Sequence, residues 1–445
     1  MLHDILGNPV SYADPTAIAA LDAAADKFLA YRADPFADVD AILAEHPRFV
    51  MAHCFRGGLI ATATDRNFDG ELARTLQAAA ALSHAANDRE RAHLAALRAW
   101  ADGDWARATV LWGRILEDWP RDTMALHFAH LGDFFNGWSA MLRDRVAAAL
   151  PAFTRTTPRA GFVRGMYAFG LVETGALTAA EAVARGCVAE NPQDAWAVHA
   201  AAHAMEMSGR SEEGIRWLAA TEAGWTHENM FAYHNWWHRA LFALDQDDAA
   251  AALALYDTRI RPTDSDVVLE LIDATAMLWR LAARGHDTGD RFAAVAARWE
   301  SRVDHGLYAF NDAHAAMAFA GAGRLDLARA QVARLRRSAE GGGSNAAMAA
   351  EAGLPLAEAV LAWGEGRFGD CADLLVAMRP RAARFGGSHA QRDIVSWTLA
   401  EAAIRAKRPA LARAVTAERR AAKPESRLEL RRARQAVAID AANAA

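Results

Sequence analysis

Histidines stand four apart twice in this chain, His199 and His203 in HAAAHAMEM and His234 and His238 in AYHNWWHRAL. On a helix that spacing puts both rings on one face, a turn apart. Such a pair can chelate one divalent transition metal ion, and Glu206, three residues past His203, offers a carboxylate to the same shell. Bare HxxxH is far less specific than HExxH, so a second reading stands beside the first. In it the rings are neutral core groups bonded to backbone carbonyls or carboxylates.

Tyr233, Asn235, Trp236 and Trp237 surround the second pair. The two indoles point about 100° apart on a helix, so at least one is expected in the core and the other can wall a ligand. Asn235 is polar within an aromatic run and reads as a backbone cap or a ligand contact. Two later stretches repeat the mixture. FNDAHAAMAF carries Asp312 and His314, and GGSHAQRD carries His389, Gln391, Arg392 and Asp393. Imidazole titrates near working pH, so His234, His238, His314 and His389 with Asp312 and Asp393 are candidates for general acid and base. Arg392 at a helix start is a candidate for holding an anionic substrate group. No nucleophile elbow, phosphate loop or dinucleotide fingerprint is present; GEGRFG has no strand before it.

The elements that must carry these groups are helices. Alanine dominates the composition, and β-branched residues do not form alternating runs. Helical stretches recur between Gly, Pro and Asp punctuation, beginning with the Asp14-Pro15 cap. The short connections predict antiparallel helix hairpins. Gly175 to Gly209 spans 34 residues, the tetratricopeptide period, whereas Gly323 to Gly366 spans 43, so the array is irregular. The expected architecture is all-α: a superhelix of antiparallel helix hairpins, tightly curled around an internal pocket. It is read as a single helical-repeat domain over residues 1–445, with divergent helices in 1–95, repeats in 96–420 and a solvated terminal helix in 421–445. SAEGGGSN, residues 338–345, reads as a flexible loop.

The net charge of −6 is spread over interspersed residues, which gives no footprint for nucleic acid. Cys54, Cys187 and Cys371 are far apart and encode neither a zinc knuckle nor a disulfide framework, which fits a reducing compartment. The N-terminus lacks the pattern of a secretory signal, and no apolar run approaches the roughly 20 residues of a membrane span. These features predict a cytoplasmic protein that binds neither membrane nor nucleic acid.

The motifs HAAAHAMEMSGR, AYHNWWHRAL, DATAMLWRL, FNDAHAAMAF and GGSHAQRD, in this order, resemble the tetratricopeptide-repeat protein 38 family. The resemblance covers about Ala95 to Arg420 and implies an all-helical tetratricopeptide-like fold. It carries no catalytic assignment. The family-like positions are His203, Glu206, His234, Asn235, Trp236, Trp237, His238, Asp312, His314, His389, Gln391, Arg392 and Asp393.

Two functional expectations follow. The first is an internal His/Asp/Trp-rich pocket for a small, anionic molecule, with hydrolase- or lyase-type chemistry by acid–base or metal-assisted means. The second is a non-catalytic scaffold for protein partners. Peptide-binding repeats usually present Asn, Lys and Arg along a groove, so gathered His, Asp and Trp favour the pocket. A homodimer formed through the ends of the array fits either reading.

Overall fold

The structure is a computed structural model describing residues 2–444. It is all-α apart from a small antiparallel pairing of Leu2–His3 with Pro9–Val10. Helices follow one another from Pro15 to Ala444, joined by short turns. Local chemistry sets their ends. Asp14 accepts from the Thr16 and Ala17 amides, with Pro15 in the first turn, and Asp34-Pro35 repeats the device. Gly175 (φ 81°) and Gly209 (φ 72°) end helices in the left-handed conformation that glycine adopts without strain.

The chain divides into two compact units. One comprises residues 1–201 and 221–232; the other comprises 202–220 and 233–445. The division cuts the helices Ala195–Met207 and Ala232–Asp245, called below the His203 helix and the His238 helix.

In the first unit, a core of Leu126, Val146, Ala149, Val163 and Met166 packs helices Thr123–Phe135, Ser139–Ala149 and Ala160–Glu173 together. In the second unit, Gly214 lets its helix approach the next one, since a Cβ there would run into the Phe242 ring. The helices that matter for the site are the Arg280 helix (Val268–Ala283), the His314 helix (Ala309–Gly321), the Trp397 helix (His389–Arg405), Pro409–Ala422 and Arg427–Ala444.

Three sequence expectations change. The terminal helix is not merely solvated. Glu429 and Arg432 are buried and pair with Arg419 and Glu401. An alternating charge pattern looks the same on a wet face as in a buried network, because the partners lie on other helices.

The SAEGGGSN segment is anchored at its end. Asn345 accepts from the Ala309 amide at 2.7 Å and donates to the Gly306 carbonyl at 2.9 Å.

Finally, Ser344–Gly364 forms a continuous 21-residue helix with mean hydropathy 1.2, long and apolar enough to cross a membrane, and half of its apolar window is buried. Gly353 and Pro355 lie within it. A π-helical turn at Ala349–Gly353 carries the chain through them.

Candidate functional site

In the second unit, His203, His234 and His238 form a buried histidine cluster carried by the His203 and His238 helices. Within the second unit, ligand nitrogens of His203, His234 and His238 lie within 4.8 Å of one another. The His203 and His238 ring centroids are 4.3 Å apart, and those of His234 and His238 are 5.0 Å apart. His199 stands one turn before His203 on the same face of its helix. The helix-face argument made from the sequence therefore holds for both pairs.

Burial controls the charge of these rings. Desolvation, reinforced by the charges of His234, His389 and Arg392, holds His203 well below the usual imidazole range. His238 is held down by desolvation first, then by His203, His234, Arg280 and Lys423. Both are neutral at pH 7, the state a metal ligand requires. His234 Nδ1 lies 2.5 Å from Asp273 Oδ2, and Asp273 is 1 % exposed. A carboxylate on one imidazole nitrogen fixes the ring and directs the other nitrogen elsewhere. Trp237 stacks on His234 with centroids 5.3 Å apart and planes 13° from parallel.

The other residues singled out from the sequence divide. Asn235 is fully buried, Tyr233 is half-buried with its ring edge-on to His234, and Trp236 lies beneath the Arg259 guanidinium at 5.0 Å. Asp312 is buried in the first turn of the His314 helix. His314 Nδ1 is 2.8 Å from the Phe310 carbonyl, and burial lowers its pKa to about 4.

Glu206 does not join the histidines; Lys423 holds its carboxylate and lies 3.0 Å from Asp245 Oδ2 as well. Gln391 forms a reciprocal capping box with Ser388, which occupies its side-chain oxygen. His389 is exposed at the start of the Trp397 helix, and Arg392 donates to the Gly387 carbonyl. Asp393 pairs with Arg419 at 2.6 and 3.1 Å rather than with His389. Burial pushes the Asp393 carboxyl up, but Arg419, then Lys423 and Arg280, outweigh it and keep it ionised. It is a poor proton donor at neutral pH.

Two residues of the site, Asp273 and Arg280, went unassigned in the sequence although both lie in DATAMLWRL. They are seven apart, hence on one face of an otherwise apolar helix, and that spacing was the available signal.

The first unit holds a further polar group in HFAHLGDFF. His127 and His130 are buried with no hydrogen-bond partner among the described residues. Burial lowers His127 to about 4, and burial with the charges of His127 and Arg145 lowers His130 to about 3. Trp196 lies edge-on to His130, and Asp194, two residues before it, is pushed up to about 7 by burial. No family model matches the chain.

Proposed function

We propose that this chain is a tetratricopeptide-like protein of the tetratricopeptide-repeat protein 38 type whose histidine cluster holds a divalent transition metal ion. At that centre it carries out hydrolytic or elimination chemistry on a small molecule. The observation that carries the reading is the convergence of His203, His234 and His238 nitrogens within 4.8 Å, two of them on neutral, buried rings. Asp273 behind His234 supports it, because a carboxylate on the far nitrogen is the usual partner of a metal-ligating histidine. Three imidazoles leave a coordination position for substrate, as catalytic sites require. A bound divalent ion would supply a Lewis acid in a water-poor setting.

One observation favours the scaffold reading instead. His234 is stacked on Trp237 like a packing residue. Cobalt separates the two. The chelator-treated full chain should take up about one Co²⁺ and develop visible ligand-field bands, weakened in His203→Ala. A folded protein that takes up no cobalt and shows no such bands leaves the packing and scaffold reading standing.

A further inference from the structure

Among the described residues, the buried arginines are paired with carboxylates, with one exception. Arg89 meets Asp122, Arg302 meets Asp266, Arg419 meets Asp393 and Glu429, and Arg432 meets Glu401 and Glu429. Arg280 is 0 % exposed, and no carboxylate lies within ion-pair distance of it among the described residues. Its Nη1 donates to the Ala276 carbonyl at 3.1 Å and its Nη2 to the Ala390 carbonyl at 2.8 Å. Its Nε is buried without an acceptor. Of five N–H donors, two are used, and the Nε edge of the fork is free to take a planar oxyanion.

The guanidinium remains cationic at neutral pH, and a buried cation is tolerated only when it is compensated. Burial lowers its pKa to about 10; the charges of Asp393, Glu206 and Asp273 support it without an ion-pair contact, and the indole faces of Trp237 and Trp397, 5.3 and 5.9 Å from its carbon, add cation–π attraction, which leaves the Nε edge without an acceptor.

Arg280 is also central among the motifs. It lies over Trp237, stacked in turn on His234, and it bonds the first turn of the Trp397 helix through Ala390. Its charge is felt by His238 and His314. Arg392, the arginine expected from the sequence to bind an anion, instead donates to its own helix start.

We propose that Arg280 is the anion-binding residue of the site, and that the small molecule accepted beside the histidine cluster carries a carboxylate or a phosphate that docks on the Nε edge of this guanidinium. The proposal rests on reading the cluster as a ligand site. It does not depend on a metal being held there.

The test is calorimetric titration of the full chain, chelator-treated and then zinc-loaded, with inorganic phosphate and separately with acetate. The expected result is saturable binding of at least one oxyanion to the chelator-treated protein, and the stronger of the two names the source of the charge. Binding should weaken about tenfold or more in Arg280→Lys, which keeps the charge and loses the fork, and vanish in Arg280→Gln. Where Arg280→Gln fails to fold, the lysine variant decides.

Several results overturn the proposal: no saturable binding of either anion to wild type; binding unchanged in Arg280→Lys; binding lost in Arg392→Gln but kept in Arg280→Lys; or binding only to zinc-loaded protein and indifferent to residue 280, which would put the anion on the metal. Zinc affinity measured on the same samples keeps the two readings apart. Oxyanion binding without zinc binding would sink the metal centre and leave Arg280 its role.

Discussion

Removing the charge of Asp273 takes away the group that holds His234 Nδ1 at 2.5 Å and so loosens the ring whose other nitrogen faces the cluster. Partners of this kind are worth about 10- to 100-fold in metal affinity. Asp273→Asn should therefore weaken zinc binding by about that factor, read by competition with a chromophoric chelator, while the helical circular dichroism stays. A change below about twofold would mean that the carboxylate only fills a hydrogen bond.

His314 makes a separate prediction. Burial depresses its pKa from 6.5 to about 4, so the folded chain holds it neutral while the unfolded chain protonates it. Its contribution is complete above about pH 6.5 and is lost as pH falls toward 4, at up to ~1.4 kcal/mol per pH unit. In urea melts, wild type should lose roughly 3 kcal/mol relative to His314→Leu between pH 6.5 and 4. A constant difference over that range would mean that the ring is protonated in place.

At the scale of elements, Lys423 ties together two helix ends that carry the histidines. Its ammonium bonds Glu206 near the end of the His203 helix and Asp245 at the end of the His238 helix. Burial pulls its pKa down, but Asp245, Glu206 and Asp393 more than offset that, so it stays charged. Ser426 adds a hydrogen bond to the Asp245 carbonyl at 3.2 Å. Lys423→Met leaves two carboxylates buried without their cation. It should cost about 3–5 kcal/mol in urea unfolding. A loss under about 1 kcal/mol would show that the helix ends are held by packing alone. The Glu206 carboxylate, read from the sequence as a metal ligand, is thus committed to holding the helices that present the ligands.

For the molecule as a whole, what could be read from the sequence was what depends on neighbours a few residues away. The all-α class, the Asp14-Pro15 cap and the shared face of each HxxxH pair all follow from local spacing. What could not be read depends on partners remote in the chain. Asp273 meets His234 across 39 residues, Arg280 meets Ala390 across 110, and Lys423 meets Glu206 across 217. Asp393 and His389 share a helix face, yet Asp393 goes to Arg419, because a buried guanidinium outbids an exposed imidazole. In the first unit, His127 and His130 stand three apart within an aromatic run, a spacing indistinguishable from packing.

The central claim is that His203, His234 and His238 hold a metal ion. The most direct test is the metal content of the full chain, purified without chelator or affinity tag, by elemental mass spectrometry, beside a folded His234→Ala, His238→Ala double variant. The account predicts close to one transition metal ion per chain in the native protein and under about a tenth of that in the variant. A native protein that carries no metal and takes none up from zinc, cobalt or manganese, or a variant that retains it in full, would contradict the account.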